Sequence, residues 1–326
     1  MATDNKFLFL LEKIRRNKGV DFSLYREGTL RRRIDSRLRT TGCNDYLEYV
    51  SYLNRNPEEY DRLIEAVTIN VTEFFRNPET FRAIQQKVLP EIIKGQQEQA
   101  KKPIRAWCAG ASYGEETYSI AILLLQVLQE RIADYNIKVL GTDIDPDCIA
   151  KAKTGLYEPS HLKAVGKHIL GRYFFREGNN YRVNDEVRQL TEFKQHNLTH
   201  WNFEDASREA QSNKAVIPAE AGIQGPWLSS GRQNKYPDSH SPIKVGDKLH
   251  GNDRKRDEIF KNTDLILCRN VVIYFTKPLQ AYVYNLFAKC LKPGGFLVLG
   301  KVESLGGHAQ GFFETVDNKE RIYRKT

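Results

Sequence analysis

Apolar residues recur at helical spacing from the start of the chain: Phe7, Leu8, Leu10, Leu11 and Ile14, then Leu30, Ile34 and Leu38. Positions three and four apart share one face of a helix, so these stripes predict amphipathic helices that need a common partner surface. Tyr46, Leu47, Tyr49, Val50 and Leu53 continue the pattern as far as Pro57. A further helix is predicted from about Pro57 to Ile69 on Leu63, Ile64 and Val67. Asn77-Pro78-Glu79 predicts another helix start, with Asn77 as the cap and proline in the first turn. The Gln-rich stretch from Lys94 to Pro103 reads as a linker, which gives an all-helical domain over residues 1–95.

From residue 104 the period changes. Ile104 to Cys108, Ile137 to Asp143, Asp264 to Cys268 and Phe296 to Gly300 are short apolar runs that read as buried strands. Helices are predicted between them, from Glu115 to about Ile132, from Pro146 onward, and from Pro278 to Leu291. Such alternation predicts an α/β fold, a doubly wound and mostly parallel sheet over residues 96–326. Phe312 to Val316 and Arg321 to Arg324 read as a closing antiparallel hairpin. Tyr173 to Phe175, Tyr181 to Val183 and Leu190 to Phe193 predict a small antiparallel β subdomain at about 170–195. The stretch of about 204–258 loses apolar periodicity to Pro, Gly, Ser, Asn and Lys, and is expected to be a disordered insertion.

Composition narrows the setting. The 326 residues are 40% hydrophobic and 28% charged, ordinary for a soluble globular protein. No apolar run reaches the roughly 18 to 20 residues of a membrane span, and Phe7 to Leu11, interrupted by Glu12, is too short for a signal-peptide core. A cytoplasmic protein without membrane insertion is expected. The five cysteines are scattered without a Cys-x-x-Cys pair, and His196 and His200 fall at a strand end, so neither a disulfide framework nor a metal site is expected. A net charge of +9 predicts an acidic partner surface. Nucleic acid, a membrane surface and an acidic protein all satisfy that demand.

Four clusters carry candidate chemistry. After the first strand, Ala109-Gly110-Ala111-Ser112-Tyr113-Gly114 is a small-residue turn of the kind that lets a ligand approach the backbone, but it lacks the Gly-x-Gly-x-x-Gly fingerprint. Glu115 and Glu116 follow it; they would repel a pyrophosphate and tolerate a cation. A plain tight turn with an acidic helix start reads equally well. Asp143-Ile144-Asp145 ends the second strand, where a carboxylate commonly bonds ribose hydroxyls; helix capping is the other reading, and Asp143 and Asp145 can divide the two roles. Asn70-Val71-Thr72-Glu73-Phe74-Phe75-Arg76 packs amide, hydroxyl and guanidinium groups around two aromatics, and Arg76 is suited to hold a carboxylate. Taken alone it could be an ordinary surface loop. Cys268-Arg269-Asn270-Val271-Val272-Ile273-Tyr274-Phe275 sits at the carboxyl end of a central strand, the usual ligand edge of an open α/β sheet, although Tyr274 and Phe275 could be plain core.

In this order, Asn-x-Thr-x-Phe-Phe-Arg, Ala-Ser-x-Gly-Glu-Glu-x-Tyr-Ser-Ile-Ala, Asp-Ile-Asp and Cys-Arg-Asn-Val-x-Ile-Tyr-Phe, the sequence resembles the chemotaxis receptor glutamate O-methyltransferases. The resemblance covers nearly the whole chain apart from 204–258. It implies a Rossmann-like class I methyltransferase domain, with S-adenosylmethionine as methyl donor, S-adenosylhomocysteine as product and no metal. It further implies that Asn70, Thr72 and Arg76 contact the donor, with Arg76 and Tyr274 nearest the transferring methyl. Glu116 and Asp143 would hold its amino-acid and ribose portions, Asn197 and Leu198 would flank the adenine, and Arg269 and Asn270 would line the pocket floor. Ala109 and Gly110 would let the backbone close on the donor. The implied partner is the cytoplasmic helical region of methyl-accepting chemotaxis receptors, met by a monomer through Arg31, Arg32, Arg33 and Arg37. A charge run such as that one, judged by itself, is usually a solvated face.

The chemistry of such a reaction suits the residues. A glutamate carboxyl with a pKa near about 4.3 is ionised at neutral pH, so it needs positioning rather than a general base to attack a sulfonium methyl. Two other readings remain. A nucleic-acid methyltransferase would suit the basic charge, but adenine-amino enzymes carry an Asn/Asp-Pro-Pro-Tyr/Phe turn where this chain has Asn270-Val271-Val272-Ile273-Tyr274. A receptor- or donor-binding homologue impaired by the insertion is the second. The short turn Arg176 to Asn180 in the β subdomain argues against docking of a receptor tail peptide there.

Overall fold

The structure, a computed structural model, describes residues 2–68, 70–95, 101–199, 260–307 and 309–326. The insertion read at 204–258 lies outside them, as does His200. The first four helices, α1 (Ala2–Lys18), α2 (Glu27–Thr41), α3 (Tyr46–Arg55) and α4 (Glu59–Val67), follow the predicted stripes. Leu10, Ile14, Phe22, Ile34, Tyr49, Leu53 and Leu63 share one fully buried core. Local signals set the limits. Asp45 accepts from the Leu47 and Glu48 amides to start α3, and Gly42, at φ 74°, ends α2 in the left-handed region. Two residues read into the stripes, Leu8 and Leu47, instead face solvent, 44% and 43% exposed.

Two further helices, α5 (Pro78–Ala83) and α6 (Leu89–Lys94), are joined by a π-helical stretch, Ile84–Val88. Asn77 stands at the cap of α5 as expected, with proline in the first turn, but its side chain makes no capping bond. Its φ is 60°, and its side-chain Oδ1 accepts from Arg269 Nη2 at 2.8 Å instead. Phe81, Ile84, Val88, Leu89 and Ile92 belong to the core under the sheet, not to that of α1–α4. The change of core therefore falls after Val67, well ahead of the Gln-rich linker.

The sheet comprises β1 (Lys102–Ala109), β2 (Tyr135–Asp143), β6 (Thr191–Gln195), β7 (Thr263–Cys268), β8 (Leu291–Leu299), β9 (Phe313–Asp317) and β10 (Ile322–Lys325). Among the described residues it is seven-stranded, in the order β6-β2-β1-β7-β8-β10-β9. Strands β6 to β8 run parallel, and the β9–β10 hairpin closes one edge antiparallel. Along β1, Ile104, Ala106 and Cys108 join the core on one face while Trp107 and Ala109 join the core on the other. Burial on both faces is why the strands read as apolar runs rather than alternating ones. Helices α7 (Glu115–Leu128) and α8 (Pro146–Thr154) follow β1 and β2, and α11 (Lys277–Cys290) connects β7 to β8.

The small sheet differs from expectation. It consists of β3 (Leu156–Tyr157), β4 (Phe174–Glu177) and β5 (Asn180–Val183) in the order β3-β5-β4, near the short helices α9 (Lys167–Tyr173) and α10 (Asp185–Arg188). The third segment expected in it is β6, which runs parallel to β2 as the edge of the main sheet. Phe193 decides this placement. It is buried, and its ring fills the space that a side chain at Gly141 or Gly114 would occupy, at 2.7 and 2.9 Å from an added Cβ.

Candidate functional site

Strand order reverses between β1 and β7, and open α/β sheets bind ligands in the crevice that such a switch opens at the strands' carboxyl ends. A cleft occupies that place, enclosing about 1240 Å³ with the open solvent at its mouth included. Its wall draws on Tyr25 before α2, the segment after α4, the turn after β1, Glu116 on α7, Asp143 at the end of β2, His196 to Thr199 after β6, and the loop after β7. Of the site residues expected from sequence, Asn70, Thr72, Arg76, Gly110, Glu116, Asp143, Asn197, Leu198, Arg269, Asn270 and Tyr274 all line it. Ala109 does not: it is 1% exposed and packs in the core beside Trp107.

The turn after β1 is fixed by β2, since the Gly110 and Ala111 amides both donate to the Thr142 carbonyl at 2.8 Å. Gly110 has φ 78°, and a Cβ there would stand 2.4 Å from Val271 Cγ2. This glycine thus lets the turn after β1 touch the loop after β7. Asp143 is 8% exposed; its Oδ2 accepts from the Ser112 amide at 2.8 Å and its Oδ1 from the Asp145 amide at 3.1 Å. Burial pushes the Asp143 carboxyl above the ordinary aspartate range, and these amides pull it back. Asp145 caps α8 through the Asp147 and Cys148 amides and takes the Asn70 amide at 3.1 Å. Ser112 lines the cleft, and its buried Oγ has no protein partner.

The segment after α4 explains its own composition. Phe74 and Phe75 are buried; their amides donate to the His161 carbonyl and to Ser119 Oγ, each at 3.0 Å. With the two rings as anchors, the polar residues around them line the cleft. Arg76 Nη1 donates to the Val71 carbonyl at 2.9 Å. Its charge lowers the Glu116 carboxyl and the Tyr274 hydroxyl, both of which burial pushes up. Arg33 acts on Tyr274 in the same sense. Arg269, its side chain 2% exposed, donates to Glu116 Oε2 at 2.8 Å and to the Arg76 carbonyl and Asn77 Oδ1.

Ser112 and Asn270 in the cleft wall, and Phe75 and Asn77 flanking Arg76, stand in the left-handed region at φ 49°, 63°, 55° and 60°. Non-glycine residues held there cost on the order of 1 kcal/mol each and persist only where surroundings over-determine them. Tyr25 was not legible from sequence. Its bridge to Phe275 and its edge contact with that ring, centroids 5.2 Å apart, bring the segment between α1 and α2 to the cleft. Burial, with Asp143 near, pushes its hydroxyl upward, so it is a neutral donor at physiological pH.

The four arginines of α2 fare differently. Arg37 forms a two-point pair with the buried Glu59 at 2.8 and 2.9 Å, where Tyr49 also donates. Arg33 donates to the Ala66 carbonyl at 2.7 Å. Arg31 pairs with Glu27 and lies 4.0 Å over the Phe7 ring, while Arg32 is exposed. Among the described residues no cluster of three or more potential metal ligands occurs, and no helix is long and apolar enough to cross a membrane.

Comparison with known proteins agrees with this geometry. The family described as "CheR methyltransferase, all-alpha domain" matches residues 5–68, and "CheR methyltransferase, SAM binding domain" matches 70–207 and 249–322. The gap between the two parts of the second match falls within the segment read as an insertion. A chemotaxis protein methyltransferase of Listeria monocytogenes is 25% identical over 315 residues, covering 97% of this chain and 96% of that protein. One from Salmonella typhimurium is 29% identical, covering 95% and 87% respectively. Chemotaxis protein methyltransferase 2 of Pseudomonas aeruginosa is 28% identical, covering 93% and 87%. With both family domains matched in order and the cleft at the switch point of the sheet, the chain belongs to the CheR methyltransferase family and carries its SAM-binding domain.

Proposed function

We propose that this protein transfers the methyl group of S-adenosylmethionine to glutamate side chains of chemotaxis receptors, forming methyl esters. The observation that carries the reading is the meeting of Arg76, Tyr274, Glu116 and Asp143 in one cleft. The donor supplies a methyl group on a positively charged sulfur. Acceptors suit such a ligand: Asp143 for the ribose hydroxyls and the Glu116 carboxylate for the donor's ammonium, with the unpartnered Ser112 Oγ beside them. Asn197 and Leu198 flank the adenine, and Asn70, Thr72, Arg269 and Asn270 complete the grip.

The incoming carboxylate is already ionised at neutral pH. What remains for the protein is alignment and exclusion of water. Arg76 holds the carboxylate through a charge-assisted hydrogen bond, and the neutral Tyr274 hydroxyl orients it from the other side. No proton has to move at the nucleophile. Arg32, exposed on α2, meets the acidic receptor helix with the half-buried Arg31 beside it, while Arg33 and Arg37 shape that surface through their bonds to Ala66 and Glu59. The protein works as a cytoplasmic monomer with a helical domain and a donor-binding domain.

The test is transfer from methyl-labelled S-adenosylmethionine to receptor-containing membranes, followed by mild alkali. Release of labelled methanol identifies a carboxyl ester. Label that stays on the receptor through alkali, or that appears on DNA or RNA alone, overturns the reading.

A further inference from the structure

The loop after β7 supplies Arg269, Asn270, Val271, Ile273 and Tyr274 to the cleft, yet none of these side chains explains why the loop holds its shape. Asn270 stands at φ 63°, and the chain then turns through a single 3-10 turn, Val272–Tyr274. Bonds from outside the cleft hold it: Gln280 Nε2 donates to the Val272 and Phe275 carbonyls, the Arg26 amide donates to the Tyr274 carbonyl, and a buried carboxylate gathers the loop's own amides. Glu303, just beyond β8 and 3% exposed, turns its carboxylate back under the loop. Its Oε1 accepts from the Val271 and Ile273 amides at 2.9 and 3.3 Å, and its Oε2 from the Asn270 and Gly300 amides at 2.9 and 2.6 Å.

Each oxygen thus faces two N–H donors. Only a group that accepts at both oxygens satisfies all four, and an ionised carboxylate does so. An amide cannot: in either orientation its NH₂ would confront two N–H groups and leave both unpaired in a buried place. Gly300 belongs to the same device, because a Cβ there would stand 2.7 Å from Glu303 Oε2 and 2.9 Å from the Asn270 nitrogen. Val271, held by Glu303, is also the residue against which Gly110 is closed down.

We infer that Glu303 is a positioning residue for methyl transfer: it touches no reactant but fixes the backbone that sets Tyr274 and Asn270 against the donor and the incoming carboxylate. This rests on the methyl-transfer reading of the same cleft. The other donor-holding residues, Asp143 and Glu116, come from different elements, so the loss of Glu303 weakens alignment more than it weakens donor binding.

The experiment compares Glu303→Gln and Gly300→Ala with the wild type. Calorimetric titration with S-adenosylhomocysteine counts intact sites and gives their affinity; receptor methylation gives kcat and KM. Misalignment of this kind costs at least about ten-fold in kcat per binding site, and Glu303→Gln is expected to show that loss with receptor KM within about two-fold and S-adenosylhomocysteine affinity weakened about three-fold. A purely structural role would lower the number of competent sites and leave kcat per site unchanged, and that result overturns the inference. Should Glu303→Gln fail to fold, Gly300→Ala decides by the same criteria, since it presses on the carboxylate without altering its charge. If the wild type itself transfers no methyl to receptors, the substrate reading fails separately. The inference then stands or falls on S-adenosylhomocysteine affinity, with an unchanged value in both variants overturning it.

Discussion

Replacing Arg269 by Met removes the cation from a nearly closed site while keeping most of the side-chain volume. Three acceptors lose their donor at once: Glu116 Oε2, the Arg76 carbonyl and Asn77 Oδ1, each at 2.8 Å. Arg269 is 2% exposed and Glu116 14%, so water replaces the guanidinium poorly. Breaking a buried pair from one side costs about 3–5 kcal/mol, because the remaining charge is left uncompensated. For a protein of this size that is a fall of roughly 4–7 °C in the melting temperature. Glu116→Gln removes the stranded charge, so the double variant should recover on the order of 1–3 kcal/mol relative to the sum of the single changes. Calorimetric melting of the four proteins measures that coupling. S-adenosylhomocysteine titration should meanwhile show weak binding in both Glu116 variants, stable or not. If Arg269→Met melts within about 1 °C of the wild type, or if the two changes add to within about 0.5 kcal/mol, the pair does not carry the energy assigned to it.

Arg76→Ala is expected to lower kcat at least about ten-fold while changing S-adenosylhomocysteine affinity less, since its assigned partner is the incoming carboxylate; steady-state kinetics beside calorimetry checks this. Asp143 accepts ribose hydroxyls best when ionised, and burial raises its pKa in the free protein. Affinity for S-adenosylhomocysteine should therefore fall as pH drops, with a midpoint above the ordinary aspartate value of about 3.9. Asp143→Asn should bind weakly without that pH dependence. Substituting Arg31 and Arg32 together by Ala should depress receptor methylation and raise its KM while leaving donor binding intact. Equal loss of both would count against docking through α2.

Periodicity revealed the helical stripes and the buried strands because each is written locally, in residues three or four apart or in short apolar runs. It misplaced β6, whose partner choice depends on Phe193 packing into space left by Gly114 and Gly141, positions far away in sequence. Asn77 looked like a cap in its local context, but Arg269, reaching in from the loop after β7, competes for its side chain. The order of polar motifs disclosed most of the cleft. Ala109 is singled out for its small size in the turn; its side chain packs in the Trp107 core, and the cleft wall starts at Gly110. Tyr25 and Glu303 were invisible for a different reason: each acts through backbone geometry on a distant loop, and nothing in their flanking residues marks that role.

A crystal structure with S-adenosylhomocysteine bound is the most direct measurement. Its ribose should lie on Asp143, with the adenine beside Leu198 and the sulfur turned toward Arg76 and Tyr274. A ligand bound elsewhere, or in this cleft with its sulfur away from Arg76 and Tyr274, would contradict the assignment of these residues to methyl transfer.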